Sequence, residues 1–481
     1  MEYIIHGRKP ESVFRYFEEI SAIPRGSYNE AAIADYLCKF AAARGLECHR
    51  DAQNNVLIKA PASPDRLGSA PLLLQGHTDM VCEKNRDTAH DFLRDPLKLW
   101  IDGKYLRAHG TTLGGDDGIA VAMMLALLDG ELPSHPAYEC LFTTAEEVGM
   151  DGAHAFDYSL LSARRMLNLD SEEFGVVTAG CAGGVRSDLT LDATPETLSG
   201  DCVEVRLTGL AGGHSGENIN CGRANANKLM GRLLAALLEA QPAARLVSLS
   251  GGSKDNAIPR EAVAVLAVPD ADGAVTLLTD IGEAIASELS EADRGFRLTV
   301  FQTDAPCEML SAATTRGAVT VLACAANGVL EMSRKVAGLV EFSRNLGVMR
   351  QEDGKLTFVF SSRSSIEEQL NASERDLNLL AAAVGGTVRH HSRYPGWSYA
   401  ETSALRDSYL AAFREVTGTD ARVNVIHAGL ECSVIHDHVP DMDMISIGPD
   451  MKDIHSPDEA LDLDSVERFW QVLALFLGRE R

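Results

Sequence analysis

Positive charge is what this 481-residue chain lacks most: 44 lysines and arginines face 69 aspartates and glutamates, a formal net charge of −25. A chain this acidic has no general attraction for phosphate backbones or anionic lipid, which need clustered basic residues. Nucleic-acid and membrane partners are therefore not expected. No run approaches the roughly 18 apolar residues that a membrane-spanning helix needs. The N-terminal stretch MEYIIHGRKPESVF has neither the apolar segment nor the small-residue cleavage site of a secretion signal. The ten cysteines are scattered and form no C-x-x-C pair. That argues against a cysteine zinc site or a disulfide framework and for reduced thiols, so a cytoplasmic location is expected.

At 45% hydrophobic and 23% charged residues, the chain has the composition of an ordinary globular protein. Its length suits two or three domains. Residues 12–44 carry apolar positions at helical spacing. Three short apolar runs follow, PLLLQGHTD, ECLFTTAEE and RMLNLDSEE, each ending in polar residues. Runs of this length read as buried strands alternating with helices. The clearest helix is GIAVAMMLALLDG, 118–130, apolar nearly all round and so expected to be buried. Asp116 and Asp117 stand before it, where carboxylates suit a helix N-terminus.

From about residue 186 the texture changes to alternating strands, as in CVEVRLTGL, and amphipathic helices, as in NANKLMGRLLAALLEAQ. A similar texture recurs after 295. The α/β pattern then returns with the strand DMISIGP and the helix SVERFWQVLALFLG, for which Asp464 and Glu467 form a capping-box spacing. The expected architecture is an α/β fold with a mostly parallel central sheet, built discontinuously from 1–185 and 395–481, and an inserted α+β domain over 186–394.

Sites in such folds form at the carboxyl ends of the strands. The polar residues there are His77 and Asp79, Asp116 and Asp117, Glu146 and Glu147, and Asp170, with His455 much later in DIHSPDE. Any one of them reads equally well as a core hydrogen-bonder or a helix cap. Together, carboxylates and histidines converging without a matching Lys or Arg would repel unless cations neutralise them. Mixed His and carboxylate ligands suit zinc, cobalt or manganese better than calcium.

These segments, LLLQGHTDMVCEKN, GTTLGGDDGIAVAMMLALL, LFTTAEEVGMDGA, NLDSEE, GGHSG and DIHSPDE, occur in the order found in the M20 metallopeptidases. The chain resembles that family, and within it the aminoacyl-histidine dipeptidase branch. The resemblance implies a zinc-peptidase-like catalytic domain with an inserted lid and dimerisation domain, a homodimer, and a dipeptide substrate. It implies two divalent metal ions, zinc first, with cobalt and manganese as alternatives. His77 and Asp170 would bind one metal, Glu147 and His455 the other, and Asp116 would bridge them. Asp79 would hold the His77 imidazole, and the Asp116–Asp117 peptide would be cis. Glu146 would be the general base toward a metal-activated water. His214 would stabilise the oxyanion and Asn256 would lie near it. Arg363 would take the substrate's C-terminal carboxylate and Glu431 its α-amine. Three positions depart from the pattern: His109 where an acidic residue is expected, Asp117 where Asn is frequent, and Ser433 where Gly is commoner. They bear on substrate preference. The rival readings are an N-acyl amino-acid deacylase, a carboxypeptidase, or an inactive scaffold, and retention of all five ligands and the base argues against the last.

Overall fold

The computed structural model describes residues 3–197, 200–304 and 308–480. The chain divides into two compact units. The first comprises 1–181, 397–425 and 430–481; the second comprises 182–396 and 426–429.

The first unit is built on an eight-stranded sheet. Its centre holds the three apolar runs as β1 (Leu72–His77), β2 (Tyr138–Thr143) and β3 (Arg165–Asn168). β1 pairs in parallel with both β2 and β3, and β3 pairs in parallel with the strand Asp443–Ser446. Antiparallel pairings flank this core, for example between Val56–Ala60 and β2. Every residue of β1 and β2 is buried, which is why these strands are mostly apolar and do not alternate, and the polar side chains inside them are bonded: Gln75 to Glu431, and Glu139 to Ser162 and Ala163.

The helical stretch 12–44 is two helices, α1 (Glu11–Ser21) and α2 (Ala31–Arg44), separated by a loop that carries Arg25. The apolar helix is α3 (Gly115–Leu128), buried at every position. Asp116 and Asp117 do not cap it. They lie inside its first turn with non-helical backbone angles, and the peptide between them is cis. The last helix, Leu463–Arg479, is capped by Asp462, whose carboxylate accepts the N–H groups of Asp464 and Ser465. Asp464 and Glu467 instead meet Arg8, so the expected capping box is not formed.

The second unit is a nine-stranded sheet with helices packed on it. Four of its strands matter below: β4 (Gly183–Asp192), β5 (Val340–Glu352), β6 (Lys355–Ser364) and β7 (Thr387–Tyr394). β5 pairs with β6, β6 with β4, and β4 with β7, all antiparallel. The stretch TRGAVTVLACAANG lies mainly in the helix Ala312–Cys324. The cysteines among the described residues are free; Cys307 lies outside the described residues. No helix of the described residues is long and apolar enough to cross a membrane.

Candidate metal centre

The carboxyl ends of β1, β2 and β3 deliver His77, the Glu146–Glu147 pair and Asp170 to one place, and the start of α3 adds Asp116. Asp116 is the hub. Its Oδ1 lies 3.0 Å from His77 Nε2 and its Oδ2 lies 3.0 Å from His455 Nε2. On the first side, Asp170 Oδ1 is 3.7 Å from His77 Nε2. On the second, Glu147 Oε2 is 3.1 Å from His455 Nε2. Two ligand-like triads result, His77–Asp116–Asp170 and Asp116–Glu147–His455, each with its ligand atoms within 4.8 Å of one another. A third group of the same compactness, His77 with Glu146 and Glu147, places Glu146 against both.

The donor set fits divalent cations. Glu147 Oε1 is buried without a hydrogen-bond partner. Burial drives the carboxyls of Glu146 and Asp170 well above the ordinary range, and neighbouring carboxylates add to the shift against His77, which opposes it. Asp117 is driven the same way by burial, again against His77, with Asp116 adding to it. For His77, burial alone would lower the pKa, but its contacts with Asp116, Asp79 and Asp170 outweigh that and leave it well above the usual value. A cluster of acidic groups that relieves its charge this way is one whose negative charge calls for cations.

Asp79 organises the surroundings and is fully buried. Its Oδ1 stands 3.4 Å from His77 Nδ1. The same carboxylate accepts the backbone N–H of Glu146 on Oδ1 at 3.1 Å and of Glu147 on Oδ2 at 3.3 Å, and the Ser27 hydroxyl at 2.8 Å. The turn before the paired glutamates is tight, with Ala145 in the left-handed region at φ 52°. The buried Glu30 carboxylate accepts the Ala145 N–H at 3.0 Å and stabilises that turn.

Three features correct or extend the sequence reading. The convergence is not without a cation: Arg25, 2% exposed, donates to the carbonyls of Thr78 at 2.9 Å and Asp79 at 3.1 Å, and to that of Gly114. Its charge offsets part of the acidic cluster, yet it bonds backbone oxygens and leaves the carboxylates free. Glu459, in the same DIHSPDE motif as His455, accepts the N–H groups of Leu113, Gly114, Gly115 and Asp116 at 2.7–3.4 Å. It takes the N-terminal place on α3 that Asp116 and Asp117 were expected to fill. His109 is exposed and stacks on Trp100 at 5.4 Å.

Glu431 opens the helix Glu431–His438 and is fully buried. Its Oε2 accepts Gln75 Nε2 at 2.6 Å and the Thr143 hydroxyl at 2.7 Å, while Oε1 has no partner. Burial raises its pKa to about 7.

His214, Asn256 and Arg363 belong to the second unit. His214 pairs with Ala257 across two short strands, and the Asn256 carbonyl accepts the N–H of Ser215 at 2.8 Å. The Glu217 N–H donates to His214 Nδ1 at 3.3 Å, which leaves Nε2 as the protonated nitrogen of the neutral ring. Arg363 is only 8% exposed and its Nε has no partner.

Residues 73–479 match the sequence profile of peptidase family M20/M25/M40. The chain belongs to that family. It is 36% identical over 472 residues to the cytosol non-specific dipeptidase of Escherichia coli (strain K12), covering 97% of each chain. The crystal structure of aminoacylhistidine dipeptidase from Vibrio alginolyticus superposes with a TM-score of 0.92 at 37% identity, covering 99% of this chain and 98% of that one. The aminopeptidase PepT of Bacillus cereus ATCC 10987, at 16% identity and a TM-score of 0.56, shares the fold.

Proposed function

We propose that this member of the M20 family is a metal-dependent dipeptidase that hydrolyses dipeptides, Xaa-His among them, as a cytoplasmic homodimer assembled through its inserted domain. The observation that carries the reading is Asp116, with one carboxylate oxygen turned to each of two triads. Its support from outside the chain is the naming of two relatives, similar over nearly their whole lengths, as dipeptidases.

His77, Asp170 and Asp116 would hold one divalent cation, and Asp116, Glu147 and His455 the other, zinc being the first choice for such His and carboxylate sets. The cations would supply Lewis acidity and lower the pKa of water. Glu146 accepts the proton of the attacking water and returns it to the departing amine nitrogen. Asp79 holds the His77 ring and, through two backbone N–H groups, the turn that aims Glu146 and Glu147. Glu431 Oε1 is assigned to the substrate's α-ammonium. His214 Nε2–H is assigned to the developing oxyanion, with Asn256 holding the His214 loop. Arg363, a buried guanidinium without a carboxylate partner, is assigned to the C-terminal carboxylate.

The deciding experiment is a dipeptide panel assayed with defined metals, each dipeptide beside its N-acetyl form. A dipeptidase that reads the α-amine cleaves the free dipeptide and spares the acetylated one. Equal rates would reject the assignment in favour of a deacylase or carboxypeptidase.

A further inference from the structure

A single row of residues crosses four strands of the second unit. Ser343 on β5 pairs with Arg363 on β6, Arg363 with Gly184 on β4, and Gly184 with Tyr394 on β7. Directly opposed residues of neighbouring strands project from the same face. Arg363 and Tyr394 stand two strands apart, on the order of 10 Å at the backbone, yet Arg363 Nη1 donates to Tyr394 Oη at 3.0 Å. They meet because the residue between them has no side chain. A Cβ at Gly184 would stand 2.6 Å from the tyrosine oxygen and 2.7 Å from Cε1 and Cζ. Gly429 clears the ring elsewhere: a Cβ there would stand 2.9 Å from Cε2. Neither glycine has a positive φ, so it is the space taken by the Tyr394 ring, and not a turn, that requires glycine at both.

The hydroxyl that accepts from Arg363 still has a proton to donate, and no acceptor for it lies among the described residues. Arg363 likewise keeps Nε unpartnered, and no carboxylate among the described residues lies within ion-pair distance of it. A buried guanidinium with a tyrosine hydroxyl beside it is a donor surface for an anion, and an unpaired buried charge is costly until the anion arrives. The neighbouring His427 imidazole adds no competing anion. The His427 ring is bonded to the Ser343 hydroxyl at 2.7 Å.

We propose that Tyr394 is a specificity-determining residue: it fixes the plane of Arg363 and gives its own hydroxyl proton to the same ligand, so that the pair selects substrates with a free C-terminal carboxylate. This rests on the dipeptidase reading and on the role given there to Arg363.

The test uses the full-length, metal-loaded enzyme and three variants, Tyr394→Phe, Gly184→Ala and Arg363→Lys. KM and kcat are measured for one good dipeptide, and the inhibition constant for its C-terminal amide, which has no carboxylate. Losing one hydrogen bond to a charged group should raise the dipeptide KM about tenfold in Tyr394→Phe, with kcat within about twofold and the amide's inhibition constant unchanged. Gly184→Ala, which displaces the ring, should shift the same ratio in the same direction. If Tyr394→Phe weakens dipeptide and amide equally, the tyrosine merely supports the fold and the inference is overturned. If Tyr394→Phe changes neither while Arg363→Lys raises the dipeptide KM, the inference fails and the carboxylate seat stands. If Arg363→Lys leaves the dipeptide KM unchanged, the seat itself fails and the inference with it.

Discussion

Asp79 Oδ1 accepts the backbone N–H of Glu146 at 3.1 Å, so the carboxylate that faces the His77 ring also holds the main chain of the proposed general base. The link ties two strand ends together. It explains how two adjacent glutamates can leave β2 with separate tasks, because the backbone N–H of each is pinned by its own oxygen of Asp79. In Asp79→Asn an amide NH2 must replace one oxygen, and it would face an N–H group or the His77 nitrogen. Activity should fall about 10- to 100-fold, the usual cost of losing such a supporting group. Steady-state kinetics with metal analysis checks this; unchanged kcat/KM would show that the contact is dispensable.

The paired glutamates themselves separate binding from chemistry. Glu147 lies with His455 and Asp116 as well as beside His77, whereas Glu146 is grouped with His77 and Glu147 and with neither Asp116 nor His455. Glu147→Ala should therefore lower metal content toward one ion per chain. Glu146→Ala should keep both ions and lose turnover by about 10²–10⁴-fold, the range typical of a positioned general base. Elemental analysis beside kcat distinguishes the two. Chelation of the wild type should abolish activity and lower the melting temperature, since anything bound only by the folded state stabilises it.

The sequence showed the strand ends because each buried strand is mostly apolar and closes on a cluster of polar residues, at His77, Glu146 and Asp170, whereas the polar residues inside the strands, Gln75 and Glu139, stand singly. It could not show what supports them. Arg25 sits in an unremarkable loop between α1 and α2, and its partners are backbone carbonyls far along the chain. Glu30, which holds the Ala145 turn, leaves no local signal either. Caps misled for a related reason. Asp462 and Asp464 stand two residues apart with the same chemistry, and only the backbone decides which one bonds the helix. Asp116 and Asp117 had the composition of caps, but a distant carboxylate, Glu459, already occupied that position.

Glu459 yields a prediction of its own. Four N–H groups at the entry to α3 point at its two oxygens, and Asp116 is one of the four residues so held. In Glu459→Ala those buried donors lose their acceptor, at about 1–3 kcal/mol for each one left unsatisfied. The melting temperature should fall. Asp116 would lose its fixed position, so both ions should be retained more weakly. Metal titration of the purified apoprotein measures this; tight binding of both ions by the variant would show that Asp116 is held by other contacts.

The pH dependence of stability has a clear sign at His427. Burial, reinforced by the charge of Arg363, lowers the folded-state pKa to about 3, whereas an unfolded histidine titrates near 6.5. The neutral ring is bonded to the Ser343 hydroxyl at 2.7 Å. Between pH 6.5 and about 3 the unfolded chain therefore takes up a proton that the folded protein refuses. The contribution of His427 to stability is present above pH 6.5, declines as the pH falls through that window, and is lost in full below about 3. In His427→Gln the site no longer titrates. The stability difference between wild type and variant, read from urea midpoints, should be larger at pH 7.5 than at pH 5. A difference that stays constant between those two values would mean that the folded protein takes up a proton on His427 as readily as the unfolded chain does, so that burial does not hold the ring neutral.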